Sequence, residues 1–449
     1  MDLRSLFTIC LISFFSFASF SQDNSPYSRY GIGDLVPNTN IINRGMGGIS
    51  AAYSDQLSIN FNNPASYSSF KAYLEENSKK VSSGRVLFDI GINVDSRTLR
   101  EGNSPQKFTA SNALFSYVQV GIPIKNNWGM SFGLRPISRV SYKIARNELI
   151  FDPITNMPID SAFTEFSGNG GSYLASIGTG FAIKNFSFGG TFGYLFGNKE
   201  YSTKRAFIND TIAYNNSNHS TQSSFGNIYF SGGAQYKIKV SNANSLTLGV
   251  YGNLKNTLNG SQDVIRETFI RSSESGDFRL DSVYEQKDIK GEVIYPSGLG
   301  LGFVYEKSQT LQNGGWLIGV DYIQNKWSDF RFFGSSDNVQ DSWELRIGTQ
   351  VKPKPGSNYW SNVAYRAGFN FGDDYINVQQ PLSTMGLTLG FGLPLANYNK
   401  LSPGQFSVIN VAMEYNKRGN DDNLLKENLF RLSVGLSLSD LWFVKRKYN

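Results

Sequence analysis

The sequence predicts an all-β fold: a transmembrane antiparallel β-barrel of about fourteen strands whose N-terminal segment folds inside it as a luminal plug. Three observations carry that expectation. The chain opens on an export-type leader, it is rich in aromatics and poor in charge without a helix-length apolar run, and segment after segment alternates greasy with small or polar residues.

Residues 1–21 have the build of a secretory signal peptide. Met1 to Arg4 carries a positive charge, Leu6 to Phe20 is almost wholly apolar, and Ser19-Phe20-Ser21 supplies small residues, so cleavage is expected before Gln22. A retained anchor would want roughly 20 apolar residues. The single cysteine, Cys10, lies inside the apolar stretch, where it makes a poor lipid-attachment site and leaves the rest of the chain without a disulfide framework.

Aromatics make up 14% of the 449 residues and charged residues only 17%, yet mean hydropathy is −0.30. A barrel reconciles these values, because only every second residue of a strand faces lipid. The net charge of +6 is spread along the chain and gives no footprint for nucleic acid.

The alternation is clearest in three places. Phe186, Phe188, Phe192, Tyr194 and Phe196 face one way and Ser187, Gly189, Thr191, Gly193 and Leu195 the other; Met385, Leu387, Leu389, Phe391 and Leu393 alternate with Gly386, Thr388, Gly390, Gly392 and Pro394; Phe430, Leu432, Val434, Leu436 and Leu438 alternate with Arg431, Ser433, Gly435, Ser437 and Ser439. A soluble sandwich would also alternate, but the leader and the number and size of the greasy residues favour a barrel. Strands are expected near 85–95, 108–124, 128–144, 171–183, 186–198, 223–239, 246–256, 289–306, 315–328, 341–353, 359–373, 384–396, 406–417 and 426–440. Tight links near 125–127, 184–185 and 241–244 alternate with long polar ones near 145–170, 199–222 and 257–288. Short periplasmic turns, long outer loops and an even strand count would leave both termini in the periplasm of a Gram-negative cell. Trp128, Trp316, Trp343, Trp360 and Trp442 fall near strand ends, as an interfacial girdle requires.

No linker divides the chain, so the organisation reads as signal peptide 1–21, N-terminal extension and luminal hatch 22–84, and barrel 85–449. The extension carries SPYSRYGIGDL (Ser25 to Leu35) and RGMGGISAAYSDQLSINFNNPASY (Arg44 to Tyr67). Gly45, Gly47 and Gly48 permit tight backbone, and Pro64, between Asn63 and Ala65, stops regular structure. A segment too small for its own core must dock elsewhere, and the lumen is nearest.

These elements, with NKWSDFRFF (Asn325 to Phe333), DSWELRIGTQ (Asp341 to Gln350) and YRAGFNFGDD (Tyr365 to Asp374) in order, resemble the FadL/TodX outer-membrane transporter family. The resemblance covers essentially the whole chain after the leader. It implies a fourteen-stranded barrel plugged by a hatch with an Asn-Pro-Ala element, here Asn63-Pro64-Ala65, and passive passage or binding of hydrophobic, fatty-acid-like compounds gated by that hatch. In that family a kink in the third strand opens a side window. Here Pro136 interrupts the third expected strand, and it either kinks the wall or marks where pairing ends. Arg135 and Arg139 would face the lumen, either greeting an acidic ligand head or forming ion pairs.

The SPYSRYGIGDL opening departs from the family hatch, and FDPITNMPIDSAF (Phe151 to Phe163) is only mildly greasy for a capture surface. Both features resemble a PorV-like accessory branch, which implies, as the alternative to hydrophobic passage, a non-transporting barrel docking proteins within an outer-membrane secretion or assembly complex. Expected partners are therefore outer-membrane lipid or lipopolysaccharide, hydrophobic small molecules, and other outer-membrane or secreted proteins. An enzyme is not expected, because His219 in NNSNHS is the only histidine and no nucleophile motif accompanies it. The same scarcity of His and Cys predicts no metal or other cofactor, and Asp421-Asp422 reads as a solvated turn.

Overall fold

The computed structural model describes residues 25–74, 81–101, 106–208, 215–272, 276–395 and 406–442. The expected leader and Cys10 lie outside them. The strands are β1 (Asp34–Leu35), β2 (Ala72–Leu74), β3 (Val81–Glu101), β4 (Lys107–Lys125), β5 (Trp128–Phe151), β6 (Pro158–Ile183), β7 (Phe186–Phe207), β8 (Asn216–Lys239), β9 (Asn244–Asn253), β10 (Asn256–Ser272), β11 (Gly276–Tyr295), β12 (Gly298–Lys307), β13 (Gly315–Asn325), β14 (Arg331–Phe332), β15 (Ser342–Lys352), β16 (Ala364–Val378), β17 (Gln380–Leu395), β18 (Phe406–Arg418) and β19 (Leu425–Trp442).

Neighbouring wall strands pair antiparallel, and the ring closes where β19 pairs with β3 from Leu425↔Glu101 to Trp442↔Gly84. Closure leaves no sheet edge at that joint, which is the condition for a sheet to cross hydrocarbon. β9 with β10, and β11 with β12, are each one wall strand interrupted, at 254–255 and at Pro296-Ser297. Pro296 has no N–H for the ladder, and Asn253 Nδ2 donates to its carbonyl at 2.9 Å. The wall is thus a closed, fourteen-stranded antiparallel barrel.

Period-two patterning sets the two faces. Phe192, Tyr194 and Phe196 are exposed on β7 while Thr191 and Leu195 are buried; on β17 Met385, Leu387 and Leu389 are exposed and Thr388 is buried. In β19 Phe430 and Val434 face out, whereas Arg431, Ser433, Ser437 and Ser439 are buried inside. Among the described residues no helix is long and apolar enough to cross a membrane.

Three long stretches read from sequence as loops are, among the described residues, mostly strand. β5 and β6 pair to Phe151↔Pro158, and the stretches around 199–222 and 257–288 continue β7, β8, β10 and β11 well above the greasy belt. Above the membrane both faces of a strand meet water, so the alternation that marks a strand in lipid is lost, and cross-strand pairing alone holds the extension. His219 accordingly sits in β8, opposite Thr203 and Arg266, and not in a loop. Trp128, Trp316 and Trp360 mark the end with short turns, where β19 also finishes at Trp442, and Trp343 marks the other.

Residues 25–70 are enclosed by the ring. Ile41 lies against Gly91 and Gly435, Gly45 against Gly390, Gly47 against Ile347 and Phe369, Ala51 against Gly249, Pro64 against Gly180 and Gly189, and Phe70 against Gly121. Those partners come from strands around the circumference, and Met46, Ile49 and Ile59 have no exposed surface. Wall glycines let backbone meet backbone at these contacts: a methyl group built on Gly368 would overlap the amide of Gly47.

Gly368→Ala should therefore destabilise the filled barrel by about 1–3 kcal/mol, the usual cost of overpacking. Gly190→Ala, where the nearest atom is 3.9 Å away, should be neutral. Thermal unfolding in detergent, read by gel mobility, compares the two.

Candidate functional site

The enclosed segment begins as a short helix, Ile41–Arg44, capped by Asn40, whose side chain accepts from the Asn43 amide at 2.8 Å. Gly45 caps its other end, and Gly47 and Gly48 take φ of 66° and 88°, a region that favours glycine. This turn aims backbone groups at the wall. Gly47 N donates to Thr388 Oγ1 at 2.8 Å, Gly48 O accepts from Arg346 Nη1 at 3.0 Å, and Asp321 Oδ2 accepts from both Ser50 N and Ala51 N at 2.6 and 2.8 Å. Asn63 caps a 3-10 turn that starts at Pro64, its Oδ1 accepting from Ala65 N at 3.1 Å and its Nδ2 donating to Ala51 O at 2.6 Å and to Val250 O at 3.2 Å. Gly45, Gly47 and Gly48 therefore dock on β15–β17 and Asn63 and Pro64 on β6–β9, while Ala65 is buried within its own turn.

Arg44, fully buried, donates to Asn93 Oδ1 and Ser116 Oγ on the wall and to the Thr39 and Pro37 carbonyls of its own segment. Asp34 sits between two wall arginines, Arg97 Nη2 at 2.5 Å and Arg418 Nη1 at 3.0 Å. The same arginines hold Glu427, at 2.9 and 3.3 Å, and Arg418 Nε reaches Asp374 at 2.7 Å. Arg431 adds a bidentate pair with Asp95, both distances 2.7 Å. Burial by itself would raise the Asp34 carboxyl, but the guanidinium groups of Arg97 and Arg418 outweigh it and hold the pKa below the ordinary carboxylate value.

Toward the end away from the short turns, the inner wall becomes apolar. Leu174, Leu195, Phe225, Tyr229, Leu258 and Val293 pack against Tyr27 and Ile32 of the segment and against Trp327 and Phe330 of the β13–β15 connection. The connection and the segment also join directly, since Gly31 N donates to Asp337 Oδ2 at 2.8 Å and Tyr375, whose ring is 4.4 Å from that of Trp327, donates to Gly33 O. Between this apolar cap and the 44–48 turn lies a cavity of about 360 Å³. Its lining carries Arg97, Arg346, Arg418 and Arg431 with Asp34, Glu344, Asp374 and Glu414, beside Leu35, Val36 and Ile137.

The wall itself changes at Pro136. β4 and β5 pair only up to Val118↔Leu134. On the β6 side Ile137 is an extra, bulged residue between Pro136↔Tyr173 and Ser138↔Ser172. The edge of β5 released from β4 is taken by the segment: Val36 N donates to Ile137 O at 3.0 Å, Asp34 and Leu35 stand opposite Arg139 and Ser138, and Ser25 N donates to Ser141 O at 3.2 Å. Arg135 lines the cavity, donates to Asn38 O at 3.3 Å and lies 4.9 Å over the Phe61 ring. Neither Arg135 nor Arg139 takes a carboxylate partner among the described ion pairs; Arg139 instead sits opposite Asp34 in the strand register.

Sequence reading missed Asp34, Arg97, Asp321, Arg418 and Glu427. One signal was available, in that Asp321 breaks the inward phase Leu317, Gly319, Ile323 of β13, and a charge on a buried phase asks for a partner. Asp421, in the β18–β19 turn, pairs with Lys426.

A family model described as BamG matches residues 3–449. No curated protein matches the sequence. Among solved structures the chain is similar to the CymD monoaromatic hydrocarbon channel, at 14% identity and a TM-score of 0.51 over 91% of this chain and 99% of that one. It is likewise similar to the P. putida toluene transporter TodX, at 14% identity and a TM-score of 0.51 over 90% and 99%. Both likenesses speak for the fold.

Asp34→Asn should loosen the docking of residues 25–36 by about 3–5 kcal/mol, because it leaves two buried guanidinium groups short of charge. Hydrogen exchange of that stretch measures it. The wild-type contribution of Asp34 is present above the free carboxyl value of about 3.9 and is lost as pH falls through its lower folded value. Protection of residues 25–36 should therefore be flat from pH 8 to 5 and decline only in stronger acid.

Proposed function

The chain belongs to the BamG family and folds as a FadL-type barrel, and from that premise we propose that it works in the outer membrane as a sealed accessory barrel, docking other outer-membrane or secreted proteins within an assembly or secretion complex. The observation that carries this reading is the filling of the lumen. The apolar part, where a hydrophobic solute would be held, is occupied by Tyr27, Ile32, Trp327 and Phe330 of the chain itself. The part left open is lined with paired charges. Opening the barrel would separate these buried pairs, each costly to break one-sidedly. The surface left for work is outside: a greasy belt for lipid and lipopolysaccharide, and the tall β5–β11 extension above it. In this orientation the short turns and both ends of the chain lie in the periplasm.

Passage or binding of hydrophobic compounds is the second reading, and it has its own observation. The cavity reaches the Pro136 break through Leu35, Val36 and Ile137, and the similar structures are by name a hydrocarbon channel and a toluene transporter. Residues 25–36 would then be the gate, and the 45–65 surface the fixed hatch. Neither reading gives the chain a catalytic role, and His219→Ala is expected to change neither outcome.

Two measurements on one strain separate the readings. Purification from native membranes in mild detergent, with mass spectrometry, should recover stoichiometric partner proteins, and a deletion strain should take up toluene and long-chain fatty acids at the wild-type rate. Recovery of the barrel alone at every expression level, with uptake reduced tenfold or more on deletion and raised by removal of residues 25–36, would overturn the docking role in favour of passage.

A further inference from the structure

Above Val118 the far edge of β4, Lys107–Tyr117, has no strand partner among the described residues and makes no backbone hydrogen bond on that side. β5 does not return to it. Its own released edge is bonded to Val36, Leu35, Asp34 and Ser25, which fixes it toward the lumen. The lower part of the open edge lies in the greasy belt, because Phe115 on β4 and Phe88 and Ile92 on β3 are exposed apolar residues. Higher up, the outward residues of β4 are Ser111 and Thr109 and those of β3 are Ser96 and Thr98, so the belt ends near Ala113.

Unpaired peptide groups at belt height cost several kcal/mol each, since lipid cannot bond them. An exposed strand edge is also a template for another strand. Within this chain the nearest undescribed stretch, residues 102–105 in the β3–β4 connection, cannot span an edge running from Lys107 to Tyr117.

We propose that this edge is a docking site for one strand of another outer-membrane β-barrel protein, added to β4 through main-chain hydrogen bonds. The proposal rests on the docking role above and gives it a place. The occupant must be amphipathic: greasy on its outward phase at the height of Ala113 and Phe115, polar at the height of Ser111 and Thr109. Main-chain pairing supplies the affinity, and this change of character along the edge sets the register.

The test uses the full chain in its native membrane, with Thr109→Cys, Ser111→Cys and Ala113→Cys each carrying a photoactivatable probe, followed by mapping of the cross-linked peptides. All three positions face outward, where the wall tolerates substitution. A paired strand predicts that all three probes land on one segment of one other outer-membrane protein, the contact moving about two residues along that segment for each probe step. Cross-links to lipid alone, to β5 or residues 1–24 of the same chain, to β4 of a second copy, or to scattered sites without register would overturn the proposal. Partners that co-purify while the seam gives no ladder sink the seam and leave the docking role standing; a barrel that purifies alone sinks both.

Discussion

Hydrocarbon gives a peptide group nothing to bond to, and every part of this barrel is arranged around that constraint. Thirteen wall strands would leave parallel termini on opposite sides; fourteen, closed from Leu425↔Glu101 to Trp442↔Gly84, pair each strand with two antiparallel neighbours. One place where the wall gives up pairing within the belt begins just above Leu134, next to a residue that has no N–H to offer. There the chain spends its own N-terminal segment on one of the two released edges. The other edge, on β4, is left to something else.

The lumen obeys a related rule. Inward positions of the wall carry Asp95, Arg97, Asp321, Glu427 and Arg431, all buried, and a buried charge must be matched or hydrogen-bonded. The segment supplies part of the match: Asp34 stands between two arginines, Ser25 donates to Glu427, and the Ser50 and Ala51 amides donate to Asp321. Wall and segment therefore complete each other. Small residues do the rest, since contacts such as Gly47 on Gly368 and Gly45 on Gly390 admit no side chain between them.

These two rules bear on function from opposite sides. A filled, charge-locked lumen makes a poor conduit, whereas a break in the wall is where a conduit or a partner would enter. The 25–36 stretch belongs to both, lining the cavity and pairing with the released edge of β5. Its pairing with β5 turns the side of the barrel into the surface of interest.

Much of the wall was legible in the sequence. Each of the fourteen expected strands lies on an observed wall strand, because lipid on one side and a polar lumen on the other impose a period of two that Phe186 to Phe196 or Met385 to Leu395 cannot hide. The extensions above the belt were not legible, since polar strands in water carry no such period, and neither were the breaks that split β9 from β10 and β11 from β12. In the lumen, the glycines at 45, 47 and 48 and the Asn63-Pro64-Ala65 turn could be picked out, for unusual backbone needs unusual residues. Their partners could not, because Arg418 and Asp34 are far apart in the chain and only ring closure brings them together. By itself the sequence determined that there is a barrel, how many strands build it and which residues bend the chain. The tertiary structure alone decided which charges meet, that SPYSRYGIGDL pairs with the β5 edge released above Pro136, and which edge remains open, because those facts depend on where the closed ring places residues that no local pattern connects.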